Sequence, residues 1–263
     1  MAVIPDVTRS QTIIPLPSKL KIRRVLEALE AWRDGDTRVE QISHRKCTER
    51  LLRIDSALRL DQFKFGVAFL DRFDTSEHQM LANSEPDMSV AFLEFLMKLG
   101  DKISLRGWNR FSGGLDVSEE QLTGEYALYR ENDNAEAIFH VTPWLLAHSE
   151  GDLERKRHFG NDTVVIIFSE SLYAFEMNTL RSQQTQVVFF VRFINRIRQY
   201  QVYVFTKQPI SFLAENPFYI PENDYFESFF ELLIEAERSC YRNHPLKEKI
   251  LLMRQYYLQQ LFQ

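Results

Sequence analysis

The residues of this chain best placed to do chemistry are Arg155-Lys156-Arg157-His158-Phe159-Gly160-Asn161-Asp162, which run directly into the apolar segment Val164 to Phe168. Asp152 fits a helix N-cap, so Leu153 to His158 is expected as a short helix with three basic residues in its last turn, where the helix dipole favours positive charge. Gly160 then supplies a left-handed residue to end it, which holds Asn161 at a rigid helix-to-strand junction. A carboxamide there offers a hydrogen-bond acceptor and a donor from one side chain. Read locally, Gly-Asn-Asp is also an ordinary turn and the basic cluster a solvated helix end. His140 sits in the alternating run Ile138 to Val141, where a hydrogen-bonded structural histidine outweighs a catalytic one.

Other chemistries lack their residues. Ser112-Gly113-Gly114 is not followed by the Lys and Ser/Thr of a phosphate loop, and no GxGxxG or GxSxG is present. Two isolated cysteines, Cys47 and Cys240, and six scattered histidines have no metal-ligand spacing, so no metal site is expected. The same cysteine usage excludes a disulfide framework and makes a reducing cytoplasm the expected compartment. Lys plus Arg number 32 against 37 Asp plus Glu, a net charge of −5. That balance argues against a general nucleic-acid binder. The longest apolar runs, Val164 to Phe168 and Val187 to Val191, fall far short of the roughly 20 residues that span a bilayer. The first residues, Met-Ala-Val-Ile-Pro, lack a basic stretch followed by an apolar one, so no signal peptide is expected.

With 263 residues, 44% hydrophobic and 26% charged, the chain can bury a substantial core. Phe63 to Phe69, Leu122 to Tyr129, Glu136 to Thr142, Thr163 to Phe168, Gln186 to Phe193 and Tyr200 to Thr206 read as strands. Asn132-Asp133-Asn134 predicts a hairpin turn between two of them. Ser89 to Leu99, apolar all round and closed by Gly100, predicts a buried helix. Phe226, Phe229, Phe230, Leu233 and Cys240 form a core-facing stripe, and Pro245 opens a second helix carrying Ile250, Met253, Tyr257, Leu258 and Leu261. Near the start, Ser18 caps a helix with Ile22, Val25, Leu26 and Leu29 on one face. The expectation is α/β (α+β), a central mixed β-sheet flanked by helices, with an N-terminal helical arm at 1–59 and the main domain at 60–263.

These motifs together resemble the GTPase-activating domain of the Rap/Ran-GAP family, related to the tuberin and Ral GAP catalytic domains. The family signature is a basic run, His, an aliphatic residue and Gly-Asn-Asp before a strand. Phe63-Lys64-Phe65-Gly66-Val67, Ser112-Gly113-Gly114-Leu115-Asp116, Thr123-Gly124-Glu125 with Tyr129, and Ile138-Phe139-His140-Val141 match further family motifs in order. Leu180-Arg181-Ser182 and the last helices are more weakly similar. Phe159 stands where the family has Ile or Leu.

The resemblance implies an activator that inserts an asparagine carboxamide, the thumb, into the nucleotide site of a small GTPase in trans. Rap itself lacks the glutamine that positions water in other GTPases. Asn161 matches the thumb, with His158 orienting it or lining the contact. Arg155, Lys156, Arg157 and Asp162 are the implied GTPase-docking residues. No cofactor of its own is implied, since GTP and Mg2+ belong to the partner. The implied partner is a Rap-like GTPase; Ral- or Rheb-like substrates and a non-catalytic GTPase-binding module remain as alternatives. With about 60 residues before Phe63, homodimerisation by the family's own route is doubtful.

Overall fold

The computed structural model describes residues 61–72, 76–146, 153–171, 174–213 and 216–242, together with Leu252 and Tyr256. The helices expected after Ser18 and Pro245, and the Asp152 cap, lie outside the described residues.

In chain order the elements are β1 (Gln62–Leu70), α1 (Glu77–Ala82), α2 (Val90–Leu99), β2 (Asp101–Ser104), β3 (Tyr126–Asn132), β4 (Ala135–Val141), α3 (Leu153–Gly160), β5 (Val164–Ser169), β6 (Val187–Ile194), β7 (Gln199–Thr206), β8 (Phe218–Pro221) and α4 (Glu227–Arg242). The eight strands form one mixed sheet in the order β2-β3-β4-β1-β5-β6-β7-β8. β4, β1, β5 and β6 run parallel at its centre, and the outer pairs are antiparallel. Central parallel strands are covered on both faces, which is why Val164–Ser169 is buried at every position. The β3–β4 hairpin turns at Asn132, whose Oδ1 accepts from Asn134 N at 3.0 Å, a local turn bond that only a short polar side chain makes.

One face of the sheet carries α2 and α4. Phe92, Phe95, Leu96 and Leu99 of α2 and Phe229, Phe230, Leu233 and Ile234 of α4 pack with Phe63, Phe65, Phe139, Phe168 and Phe189 into the main core. The other face carries α1 and α3, where Met80, Leu81 and Phe159 meet Ala68, Val165, Ile167 and Val188. The expected six strands are present, with the one placed at Leu122 starting instead at Tyr126. The preceding Asp116–Thr123 segment is a loop tied by Asp116 N to Thr123 Oγ1 and Leu122 N to Asp116 Oδ2. Short β2, β8 and α1 went unpredicted. α2 is not buried all round: Val90 and Met97 are exposed because only its opposite face reaches the sheet. No helix among the described residues is long and apolar enough to cross a membrane.

Gly66 determines how closely α3 lies on the sheet. A Cβ there would stand 2.7 Å from Phe159 Cδ2 and 3.0 Å from Val165 Cγ1, so the wide ring of Phe159 fits only over a residue without a side chain. Gly66→Ala is expected to cost about 1–3 kcal/mol through overpacking, read as a lower urea midpoint. Adding Phe159→Leu should recover part of that loss, whereas independent sites would simply sum.

Candidate functional site

The basic octapeptide forms α3 and the turn that follows it. Gly160 is the last helical residue and does not adopt the expected left-handed conformation. The helix instead closes by tightened i→i+3 bonds, Asn161 N to His158 O at 3.1 Å and Asp162 N to Phe159 O at 3.3 Å.

Asn161 is exposed on this turn, and among the described residues its carboxamide makes no hydrogen bond. Its neighbour is the opposite. Asp162 is fully buried, and its Oδ2 lies 2.8 Å from His140 Nδ1, with both side chains sealed from solvent. An ionised carboxylate only accepts, so His140 Nδ1–H is the donor. Lys64 Nζ lies 3.2 Å from Asp162 Oδ1 and donates to the Asn161 carbonyl at 3.2 Å. A buried charge needs both partners and hydrogen bonds to offset its desolvation, and the two that serve Asp162 come from β1 and β4. The parallel register pairing Lys64 with Ile138 and Gly66 with His140 puts Lys64 and His140 on one face of adjacent strands. Gly113, at φ 61°, lets its loop approach His140: a Cβ would stand 3.0 Å from Nε2.

His158 is buried, and its ring meets His140 edge-on with centroids 5.4 Å apart. Its backbone carbonyl accepts from Asn161 N, and its ring packs against that of His140.

The three basic residues separate. Arg155, expected at a docking surface, is 5% exposed. Its Nε donates to Leu145 O at 2.9 Å, and Nη1 donates to Leu81 O at 2.9 Å and Asn83 O at 2.8 Å. The Leu81 and Asn83 carbonyls end α1, where a helix has no internal donors left and carries its negative dipole end. Lys156 pairs with the buried Glu77 of α1, Nζ to Oε2 at 3.0 Å. Of the run, only Arg157 is exposed. Arg155 and Asp162 therefore stand inside the protein and not on the surface where sequence placed them. A sequence holds the charge but not the helix end that absorbs it.

Sequence reasoning passed over Lys64, Glu77 and Glu237. Glu237 had a visible signal: it interrupts the apolar stripe of α4 between Leu233 and Cys240. It is buried, and Tyr241 Oη donates to its Oε1 at 2.9 Å. Burial pushes the Glu237 carboxyl up to about 8, opposed by the Tyr241 bond, raised further by the charge of Asp162 and lowered by Lys64. Burial likewise pushes the Cys240 thiol up to about 12. Among the described residues no cluster of three or more His, Cys, Asp or Glu could hold a metal ion.

The Rap/ran-GAP family model matches residues 80–255. This chain belongs to the Rap/ran-GAP family. The match begins inside α1 and takes in the Gly-Asn-Asp turn and α4. Rap/ran-GAP relatives include the GTPase-activating Rap/Ran-GAP domain-like protein 3 of Gallus gallus, 29% identical over 89% of this chain and 26% of that protein. RapA guanosine triphosphatase-activating protein 1 of Dictyostelium discoideum is 40% identical over 41% of this chain and 10% of its own length. The chain thus spans about a quarter of the first of these curated relatives. Among solved structures, the TSC2 GAP domain matches with a TM-score of 0.57 and 29% identity, covering 67% of this chain and 94% of that one.

Glu237 yields a pH prediction. Its folded pKa is raised, so the unfolded chain releases the proton first, and the stability it contributes is fully present below about 4.5 and lost as pH rises to about 8. Urea denaturation of Glu237→Gln against the parent, near pH 5 and about pH 8.5, should show the parent losing stability relative to the variant at the higher pH, with a slope of up to about 1.4 kcal/mol per pH unit. Separately, Asp162→Ala strands His140 and Lys64 and is expected to cost about 3 kcal/mol, measured by the same denaturation.

Proposed function

We propose that this chain is a GTPase-activating domain that accelerates GTP hydrolysis by a Rap-like small GTPase, with Asn161 as an asparagine thumb inserted in trans into the GTPase nucleotide site. The observation that carries this reading is the contrast at the turn: the Asn161 carboxamide is exposed and makes no hydrogen bond among the described residues, while Asp162 beside it is buried and the carbonyls of Gly160 and Asp162 are both tied down. A scaffold has no physical need for such a side chain, presented rigidly at a helix-to-strand junction.

A small GTPase hydrolyses GTP slowly because the attacking water is poorly positioned and the developing charge poorly stabilised. The carboxamide oxygen accepts a proton of that water and the NH2 donates to a phosphate oxygen. Since the backbone beneath is already fixed, little ordering entropy remains to be lost on docking. GTP and Mg2+ come with the partner; this chain supplies no cofactor. Arg157 serves encounter with the acidic GTPase surface, where local positive charge raises the association rate on a protein of net negative charge. Lys156, paired with Glu77, ties α3 to α1, while Arg155 and Asp162 act by positioning. His158 lines the turn from below. Family membership supports GTPase activation; Ral- and Rheb-like GTPases are the alternative substrates, and a non-catalytic GTPase-binding module is the alternative role.

Single-turnover GTP hydrolysis by Rap, Ral, Rheb and Ras at increasing concentration of this protein tests the reading. One GTPase should be accelerated on the order of 10³- to 10⁵-fold. Asn161→Ala should abolish the effect while binding survives, and Arg157→Ala should slow association more than the maximal rate. The protein should bind the GTPase more tightly with GDP and a fluoride complex than with GTP. Equal affinity for the two forms would leave a docking module without catalysis.

A further inference from the structure

Three consecutive carbonyls form the root of the thumb, and each is taken by a side chain from elsewhere. Gly160 O accepts from Ser182 Oγ at 2.5 Å, Asn161 O from Lys64 Nζ at 3.2 Å, and Asp162 O from Thr185 Oγ1 at 3.0 Å. The last carbonyls of a helix have no partner inside it, and here none is left to solvent exchange. Two of the three donors come from the short segment that leads into β6.

That segment is itself fixed. The Ser182 hydroxyl accepts from Gln184 N and Thr185 N, both at 3.1 Å. With its one proton on Gly160 O, its single donor and both acceptor sites are in use. Lys207, directly after β7, donates to Ser182 O at 2.7 Å and to Gln183 O at 3.3 Å. Gln186 N and Val187 N both bond Thr163 O, at 2.8 and 3.1 Å, which stitches the segment to the start of β5. Thr185 is buried. The turn is therefore gripped from β1 on one side and from the β6 approach on the other.

We propose that Ser182 and Thr185 are positioning residues for Asn161: their hydroxyls hold the carbonyls on either side of it and so fix the direction in which its carboxamide leaves the surface. This rests on the reading of Asn161 as the inserted residue. A merely structural role would lower stability and leave the rate per bound complex alone. A positioning role acts on that rate, because displacing a reacting group by about 1 Å costs on the order of 10²-fold while the docking surface is untouched.

The test uses Ser182→Ala, Ser182→Thr, Thr185→Val and Thr185→Ser in the full chain, with the GTPase that responds best in the panel. Ser182→Ala and Thr185→Val should each lower the maximal single-turnover rate about tenfold or more. Half-saturating concentrations should change less than about twofold. Ser182→Thr and Thr185→Ser, which keep the hydroxyl, should restore most of the rate. In an Asn161→Ala background, Ser182→Ala should have no further effect, as expected for groups acting through one another. In the free protein, amide hydrogen exchange at Asn161 and Asp162 should rise in Ser182→Ala while β5 and β6 keep their protection. A full rate in both hydroxyl deletions, or the same loss with Asn161 already removed, overturns the proposal. Asn161→Ala alone distinguishes the two levels: full activity there removes the thumb itself, whereas its loss beside a normal Ser182→Ala removes only the brace.

Discussion

The exposure of Asn161 depends first on one buried carboxylate beside it. Asp162 has no access to water, and an ionised group in that position is tolerable only with a charged or hydrogen-bonding partner at each oxygen. His140 and Lys64 meet that demand from two neighbouring strands, and in doing so fix the residue before Asp162 as firmly as Asp162 itself. The electrostatic requirement of one side chain thus becomes a geometric constraint on its neighbour. Asn161 is exposed because everything beside it is committed inward.

Arg155 extends the same logic to the other end of α3. By closing the carbonyl end of α1 and holding Leu145 O it turns a short, strongly charged helix, which has little propensity to persist alone, into a part of the scaffold. Phe159 adds the apolar contact over Gly66. The basic run that looks like one surface feature is in fact a sequence of three environments within one helical turn: a buried cap, a tether to α1 and a solvent-facing guanidinium.

The fold was largely legible, and the reason is periodicity. Central strands covered on both faces write themselves as unbroken apolar runs, as in Val164 to Phe168, and Asn132-Asp133-Asn134 marks its hairpin by the chemistry of short polar side chains. Short edge strands such as β2 and β8 leave no such run, and the apolar length of α2 says nothing about which side meets the sheet. At the site, the Gly-Asn-Asp junction and the structural character of His140 were readable, but the environment of each charge was not. Lys64 is a charged break in an apolar strand and Glu237 a charged break in an apolar stripe, signals that mark a buried partner without naming it. Thr185 carries no signal and Ser182 only its place in the weakly similar Leu180-Arg181-Ser182, because a hydroxyl that bonds a distant carbonyl looks like any loop residue.

The contacts that hold the turn also set when it can exist. Lys64 and Asn161 are 97 residues apart, and Arg155 lies 74 from Leu81, so the local motif is completed only by long loop closures, whose entropy must be met before any contact rewards it. During synthesis the octapeptide emerges after β1 and β4 but before the segment carrying Ser182, Thr185 and Lys207. A chain ending before Ser182 keeps the Lys64 bond and lacks the two hydroxyl bonds to the turn. An unfinished copy therefore presents the motif without the bonds that fix its backbone.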